Sequence, residues 1–149
     1  MASAPSLYVH IPFCSSRCSY CDFHTRASSG PELGRSAEAW LEAVGRHLDA
    51  VMQRFDLSGF RTVYFGGGTP SWLPRNILAG ALSRIRSCVG TGGGHPAEWT
   101  VEANPEDIDT DLLRLLEDAG VNRLSVGVQS LEEKDRKSTR LNSSHGKLS

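Results

Sequence analysis

Three cysteines lie close together near the start of the chain, in the pattern Cys14-x3-Cys18-x2-Cys21. Thiolates that converge from one loop favour zinc or an iron–sulfur cluster over hard cations. A four-iron cluster normally takes four cysteines, so three cysteines leave one iron open to another ligand. An open metal position is typical of a reactive centre. The spacing therefore predicts a metal centre on these three cysteines with a free coordination position.

A structural zinc site is the alternative interpretation of the cysteine cluster, with His10 or His24 as the fourth ligand. Against it, His10 precedes the loop on a predicted strand, and structural zinc sites more often use paired Cys-x2-Cys units. A disulfide is less favoured still, because three cysteines cannot pair among themselves. The fourth cysteine, Cys88, lies on the apolar face of a predicted helix and is expected to be a core residue.

Residues suited to binding a small molecule follow three later strands. The run 66–70, Gly-Gly-Gly-Thr-Pro, comes directly after one strand, and glycine lets backbone amides approach a ligand closely. It lacks the Gly-Lys-Ser/Thr end of a P-loop, and a proline stands where the dinucleotide motif would begin its helix. A tight turn at a sheet edge explains the run equally well. Glu102 and Gln129 end the next two strands; Glu102 suits a ribose hydroxyl or an amine, although a single carboxylate there is more often a solvated group.

Hydrophobic periodicity predicts the elements that position these residues. The predicted order is strand 7–11, helix 37–55 with Ser36 as N-cap, strand 62–65, helix 77–89, strand 99–103, helix 110–119 capped by Thr110 and Gly120, and strand 123–128. This alternation indicates an α/β fold with a parallel sheet, either doubly wound or part of a barrel. Both architectures gather ligands at the carboxyl ends of the strands, where the cysteines, the glycine run, Glu102 and Gln129 fall.

Composition excludes several classes of protein. With 149 residues, 39% of them hydrophobic and 22% charged, the chain fits one globular domain and not a disordered tail. A net charge of −1 argues against a nucleic-acid surface. No apolar run approaches the ~18 residues of a membrane span. The first strand begins too early for a signal peptide, so a cytoplasmic location is expected, and cysteines in that compartment suggest metal binding or catalysis before disulfides.

The run from Leu7 to Cys14, followed by Cys18 and residues 20–23, resembles the radical S-adenosylmethionine superfamily. Together with segments 64–71, 102–106 and 123–130, it resembles more closely the oxygen-independent coproporphyrinogen III oxidase family, in the same order along the chain. The resemblance covers residues 6–131. It implies the N-terminal part of a radical S-adenosylmethionine core domain: a truncated, partial parallel (β/α) barrel with about four strands and three helices.

The resemblance also implies the cofactors and the residues that hold them. A [4Fe-4S] cluster would bind Cys14, Cys18 and Cys21, and S-adenosylmethionine would chelate the open iron. The S-adenosylmethionine pocket would be lined by the positions that match the family motifs, namely Tyr8, Tyr20, Gly67, Gly68, Thr69, Glu102 and Gln129. The reduced cluster would cleave the sulfonium to methionine and a 5′-deoxyadenosyl radical, while the protein orients the cofactor and excludes water and oxygen.

Two branches of the family differ near the cysteines. The oxidases carry a fourth cysteine two residues after the third and a long N-terminal arm, whereas this chain has Phe23 and a short start. These features resemble the haem-chaperone branch, whose members bind haem and S-adenosylmethionine and pass haem to respiratory acceptors. The expected function is that of a haem chaperone, with haem or porphyrin as a partner in the full-length protein. Alternatives are coproporphyrinogen III oxidase, which converts two propionates to vinyl groups, and a structural zinc module.

Residues 132–149 do not match the family. The stretch from Lys137 to Ser149 has only two apolar residues, Leu141 and Leu148, and is rich in serine and threonine. We therefore expect a disordered tail, or sequence that is foreign to the domain. The remaining strands and the C-terminal domain of the family, which would carry the haem site, are expected to lie outside this chain.

Overall fold

The computed structural model describes residues 5–16, 21–89 and 95–127, and the backbone of residues 143–147. Within these ranges the chain forms strands, α-helices and two short 3₁₀ helices. The strands are β1 (Ser6–Ile11), β2 (Phe13–Cys14), β3 (Arg26–Ala27), β4 (Thr62–Gly67), β5 (Glu98–Ala103), β6 (Arg123–Gly127) and β7 (Ser143–Lys147). The helices are α1 (Gly30–Arg54), α2 (Arg75–Val89) and α3 (Thr110–Ala119), and the 3₁₀ helices are Pro70–Trp72 and Pro105–Asp107.

The main sheet has the strand order β1-β4-β5-β6-β7, and its first four strands are parallel. Each strand–helix–strand connection moves one place along the sheet in the same direction, so right-handed crossovers put the three helices on one face. Accordingly, α1 packs against α2, and α2 packs against α3. The predicted α/β class, with four parallel strands and three helices, is confirmed.

The two faces of the sheet differ in polarity. Alternate side chains of β1 and β4, such as Val9, Ile11, Val63 and Phe65, are buried in the core with residues of the helices. Because successive side chains of a strand point to opposite faces, the intervening residues share the other face. That polar face carries Tyr8, His10, Tyr64, Thr100, Glu102, Arg123 and Ser125. It therefore holds the groups available for chemistry.

The starts of two helices differ from the sequence prediction. α1 begins at Gly30 with Ser29 as its N-cap residue, so Ser36 lies inside the helix and its prediction as cap is wrong. Pro31 fits the first turn, because the missing N–H would have no partner there, and this allows the helix to begin before its main apolar stripe. α3 is capped by Asp109 and not by Thr110, since the Asp109 carboxylate accepts from the Leu112 amide at 2.7 Å. Gly120 ends α3 in the left-handed region, as predicted.

Ser143–Lys147 forms β7, which pairs antiparallel with β6. The sequence predicted a disordered or foreign tail over 132–149, of which the structure describes these five residues, and that prediction stays untested. A strand can pair with the edge of β6 through backbone groups alone, which explains why no hydrophobic pattern in the sequence predicted β7. Among the helices that the structure describes, none combines the length and apolar character needed to cross a membrane.

Candidate functional site

The loop that carries the predicted cysteine ligands, called the cysteine loop below, has its two ends joined by backbone hydrogen bonds. β2, which contains Cys14, pairs with β3, and the Arg26 and Ser28 amides donate to the Pro12 and Cys14 carbonyls at 2.6 and 3.1 Å. Cys14 is buried and Cys21 is half-buried, and both are free thiols. Cys18 and Tyr20, which the sequence assigned to the cluster and its cofactor, lie outside the described residues. The described part of the loop therefore holds two unpaired thiols in a fixed frame.

Each of these thiols has a threonine hydroxyl nearby. Thr69 donates to the Cys14 sulfur at 3.6 Å, and the Thr25 hydroxyl lies 4.0 Å from the Cys21 sulfur. Hydroxyl contacts of this kind support thiolate ligands in metal centres. Within residues 5–16, 21–89 and 95–127, no group of three His, Cys, Asp or Glu residues is placed to hold a metal ion. The third predicted ligand, Cys18, belongs to the part of the chain outside those ranges.

Residues 66–69, called the glycine loop below, pack directly against the cysteine loop. The amides of Gly68 and Thr69 donate to the carbonyls of Ile11 and Phe13 at 2.6 and 2.7 Å. A Cβ atom on Gly68 would lie only 2.5 Å from the Phe13 oxygen, so a side chain there would separate the two loops. Gly67 has a φ of 108°, which favours glycine, and a Cβ there would overlap the His10 ring. The glycines therefore allow the two loops to approach each other, and the amides of Gly68 and Thr69 hold them together.

Glu102 connects β5 to the glycine loop. Its Oε1 atom accepts from the Tyr64 hydroxyl at 2.6 Å, and its Oε2 atom accepts from the Gly67 amide at 3.2 Å. The carboxylate is therefore held in place and is not a freely solvated group at a strand end. Each carboxylate oxygen can accept a second hydrogen bond, so Glu102 retains the capacity to bind a hydroxyl or an amine.

Two tyrosines on the polar face are held in the protonated form. Burial raises the pKa of Tyr64 to about 12, with the hydrogen bond to Glu102 and the negative charge of that carboxylate adding to the effect. Burial also raises the pKa of Tyr8, and the Glu102 charge again contributes. The two rings stack with centroids 6.1 Å apart. Both phenols are therefore O–H donors at neutral pH.

His10 connects Tyr8 to the cysteine loop. Its Nε2 atom lies 2.9 Å from the His24 carbonyl oxygen, and its Nδ1 atom lies 3.1 Å from the Tyr8 hydroxyl. A carbonyl only accepts, so Nε2 carries the proton and Nδ1 accepts from Tyr8. Both ring nitrogens are therefore engaged, which disfavours His10 as a zinc ligand.

Sequence reasoning missed the parts played by His10 and Tyr64. The available signal was the alternation of β1 and β4, which puts both residues on the face that carries Glu102. The structure describes seven of the predicted site residues: Tyr8 lies on β1, Cys14 on β2, Cys21 between β2 and β3, Gly67 on β4, Gly68 and Thr69 directly after β4, and Glu102 on β5. Gln129 joins Cys18 and Tyr20 outside the described residues.

A comparison with known families decides what kind of domain this is. The sequence profile of the radical SAM superfamily matches residues 8–147. The chain belongs to the radical SAM superfamily. The matched residues extend beyond residue 131, where the motif-based resemblance ended.

The relatives of this radical SAM chain include haem chaperones. It is 38% identical over 125 residues to the haem chaperone HemW of Lactococcus lactis subsp. lactis (strain IL1403), a match that covers 84% of this chain and 30% of the relative. It is 36% identical over 141 residues to HemW of Escherichia coli (strain K12), covering 95% of this chain and 35% of the relative.

Among solved structures, the radical SAM chain resembles the coproporphyrinogen III oxidase HemN of Escherichia coli, described as a radical SAM enzyme. The TM-score is 0.69 at 29% identity, and the match covers 88% of this chain and 29% of the other. The fold therefore resembles that of part of this oxidase. The chain spans about a third of the length of the curated relatives it matches.

Proposed function

We propose that residues 6–131 are the N-terminal part of a radical SAM protein that holds a [4Fe-4S] cluster on Cys14, Cys18 and Cys21. The contact between Thr69 and Cys14 carries the proposal, because it joins the glycine loop to the cysteine loop at the carboxyl edge of the sheet. The donor set fits the cluster, since thiolates are the usual ligands of iron–sulfur centres. A Cβ on Gly68 would fill the space where the loops meet, which supports a site built around this approach.

In this proposal S-adenosylmethionine occupies the polar face beside the cluster. Its pocket is formed by Tyr8, Tyr20, Gly67, Gly68, Thr69, Glu102 and Gln129. The free acceptor positions of Glu102 suit the ribose hydroxyls, because the carboxylate is already oriented by Tyr64 and Gly67. The chemistry supplied by the bound cluster is one-electron reductive cleavage of S-adenosylmethionine. The residues of this chain contribute binding, orientation and exclusion of water.

The whole protein is proposed to be a haem chaperone, with haem as its cargo and with an electron donor and a haem acceptor still to be identified. The HemW relatives support this branch. So does Phe23, which stands where the oxidases carry a fourth cysteine and is 60% exposed. The structural match to HemN favours coproporphyrinogen III oxidase as the second candidate. A cytoplasmic location belongs to the proposal, because cysteines kept for a metal centre need a reducing compartment.

Anaerobic reconstitution with iron and sulfide tests the cluster. We expect broad visible absorption that bleaches on reduction and changes when S-adenosylmethionine is added. Alanine at Cys14, Cys18 or Cys21 should abolish this absorption. Cys88→Ala is the matched control, since Cys88 packs against the core on α2 and should leave the absorption unchanged. A single bound zinc per chain with no response to S-adenosylmethionine would contradict the proposal.

Separating chaperone from oxidase requires the complete reading frame that contains this chain. The protein should be loaded with its cluster, titrated with haem, and assayed anaerobically with coproporphyrinogen III. Stoichiometric haem binding without formation of protoporphyrinogen IX is expected for the chaperone. Turnover of coproporphyrinogen III would instead establish the oxidase.

A further inference from the structure

A buried serine connects the two loops that follow β4 and β5. Ser71 lies in the 3₁₀ helix after the glycine loop and is 3% exposed. Its hydroxyl donates to the Asp107 carboxylate at 2.6 Å and accepts from the Asn104 amide at 3.1 Å. Asn104 and Asp107 lie two and five positions after Glu102 in the chain. The hydroxyl therefore ties the segment after Gly67 to the segment after Glu102.

Arg75 adds a second connection at the start of α2. Its guanidinium donates to the Ser71 carbonyl at 3.0 Å and to the Asp107 carbonyl at 2.9 Å. It also donates to the Asp109 carboxylate at 3.3 Å, which caps α3 through the Leu112 amide. The same guanidinium thus links α2, the loop after β5 and the start of α3.

The hydrogen bonds of Ser71 and Arg75 lie close to Glu102 in the fold. The paired residues of β4 and β5 end at Phe65 and Val101, just before Gly67 and Glu102. On the far side of these two residues, the Ser71 hydroxyl closes the gap between the two chain segments. The contact between the Gly67 amide and the Glu102 carboxylate is therefore bracketed by the sheet on one side and by Ser71 on the other.

We propose that Ser71, supported by Arg75 and Asp107, is a positioning residue that holds Glu102 in place to receive the ribose hydroxyls of S-adenosylmethionine. This inference rests on the proposed function. Ser71 need not touch the nucleotide, because its effect reaches the nucleotide through Glu102. Removing the hydroxyl also leaves the half-buried Asn104 amide without its acceptor, which allows the loop after β5 to shift.

The test uses the cluster-loaded chain and two probes, S-adenosylmethionine and its analogue lacking both ribose hydroxyls. Loss of these hydroxyls should weaken binding to the unaltered chain by about tenfold, the effect of one hydrogen bond to a charged group. Ser71→Ala should weaken binding of S-adenosylmethionine by a similar factor while leaving the affinity for the analogue nearly unchanged. The preference for the hydroxyls is thus expected to disappear.

Three further variants make the test specific. Ser71→Thr keeps a hydroxyl and should restore the preference. Ser87→Ala is the matched control, because among the described residues the Ser87 hydroxyl contacts the Arg84 carbonyl and the Cys88 sulfur, both in its own helix, and it should change neither affinity. Arg75→Met removes the second connection from a partly exposed position and should reduce the preference in part. If Ser71→Ala does not retain a cluster, the preference of Arg75→Met for the ribose hydroxyls decides whether the positioning role stands.

The outcomes separate this inference from the proposed function. If the unaltered chain binds S-adenosylmethionine and prefers it to the analogue, but Ser71→Ala or Arg75→Met keeps the full preference, the positioning role is refuted while the proposed function stands. If the unaltered chain binds both probes equally, Glu102 does not receive the hydroxyls and the inference is refuted. If the cluster-loaded chain does not bind S-adenosylmethionine, the proposed function fails and this inference fails with it.

Discussion

The hydroxyl of Thr69 donates a hydrogen bond to the sulfur of Cys14 at 3.6 Å, although 55 positions separate the two residues in the chain. Thr69 is 3% exposed and Cys14 is 7% exposed, so water does not compete for this bond. The backbone amide of Thr69 donates to the Phe13 carbonyl at 2.7 Å, which holds the Thr69 backbone beside Cys14. A thiolate at Cys14 would therefore be stabilised by a buried and oriented donor.

Thr69→Val should make the reduction potential of a reconstituted cluster more negative by tens of millivolts. A hydrogen bond to a cysteine sulfur stabilises the additional negative charge of the reduced cluster, and valine removes that donor at nearly constant volume. The measurement is an anaerobic redox titration followed by visible absorption. Thr69→Ser keeps the donor and should stay close to the parent potential. Equal potentials for the valine and serine variants would show that the hydroxyl does not act on the cluster.

Tyr64 should titrate at about 12, because burial and the hydrogen bond to Glu102 both disfavour the phenolate. A raised tyrosine pKa stabilises the folded state fully below the ordinary value of 10.0, and this contribution is lost as the pH rises from there to about 12. Ultraviolet absorbance of tyrosinate follows the three tyrosines of the chain. Tyr64→Phe should remove the last step of the titration. A final step near 10 in the parent chain would contradict the structure.

Glu102→Gln should lower the pKa of both Tyr64 and Tyr8. The negative charge that disfavours both phenolates is removed, while the amide oxygen of glutamine can still accept from Tyr64. Tyr64 should remain above its ordinary value, because burial is the largest cause of its shift. The same absorbance titration measures the change. Unchanged titration of both tyrosines would mean that Glu102 does not lie beside them in solution.

Gly68→Ala should lower the free energy of unfolding by about 1–3 kcal/mol, the usual cost of forcing atoms into a filled space. Its Cβ would lie 2.5 Å from the Phe13 oxygen and 2.7 Å from the Ile11 oxygen, and these are backbone atoms that cannot rotate away. Gly45→Ala is the matched control within α1, where the nearest atom is 3.8 Å away. It should raise the free energy of unfolding by about 0.5–1 kcal/mol through helix propensity. Denaturant unfolding measures both, and similar values for the two variants would contradict the close packing of the loops.

Local sequence rules predicted the end of α3 correctly but not the start of α1. The rule that glycine ends a helix identified Gly120 correctly, because its left-handed conformation is a property of that residue. The start of α1 was misplaced, because the Gly30-Pro31 pair is typical of both a turn and a first helical turn. Burial of Leu33, which depends on the rest of the fold, extends the helix to its observed start.

Local patterns in the sequence were enough to predict β1, β4, β5, β6 and the three helices, and to put the glycine run and Glu102 at the carboxyl ends of strands. These features follow from periodicities and motifs that are local in the chain. Three contacts depend on how the chain folds: Thr69 faces Cys14, Tyr64 holds Glu102, and Ser71 joins two loops. Each of these contacts joins residues on different strands or loops, and a shift of strand register by one residue would turn such side chains to the opposite face.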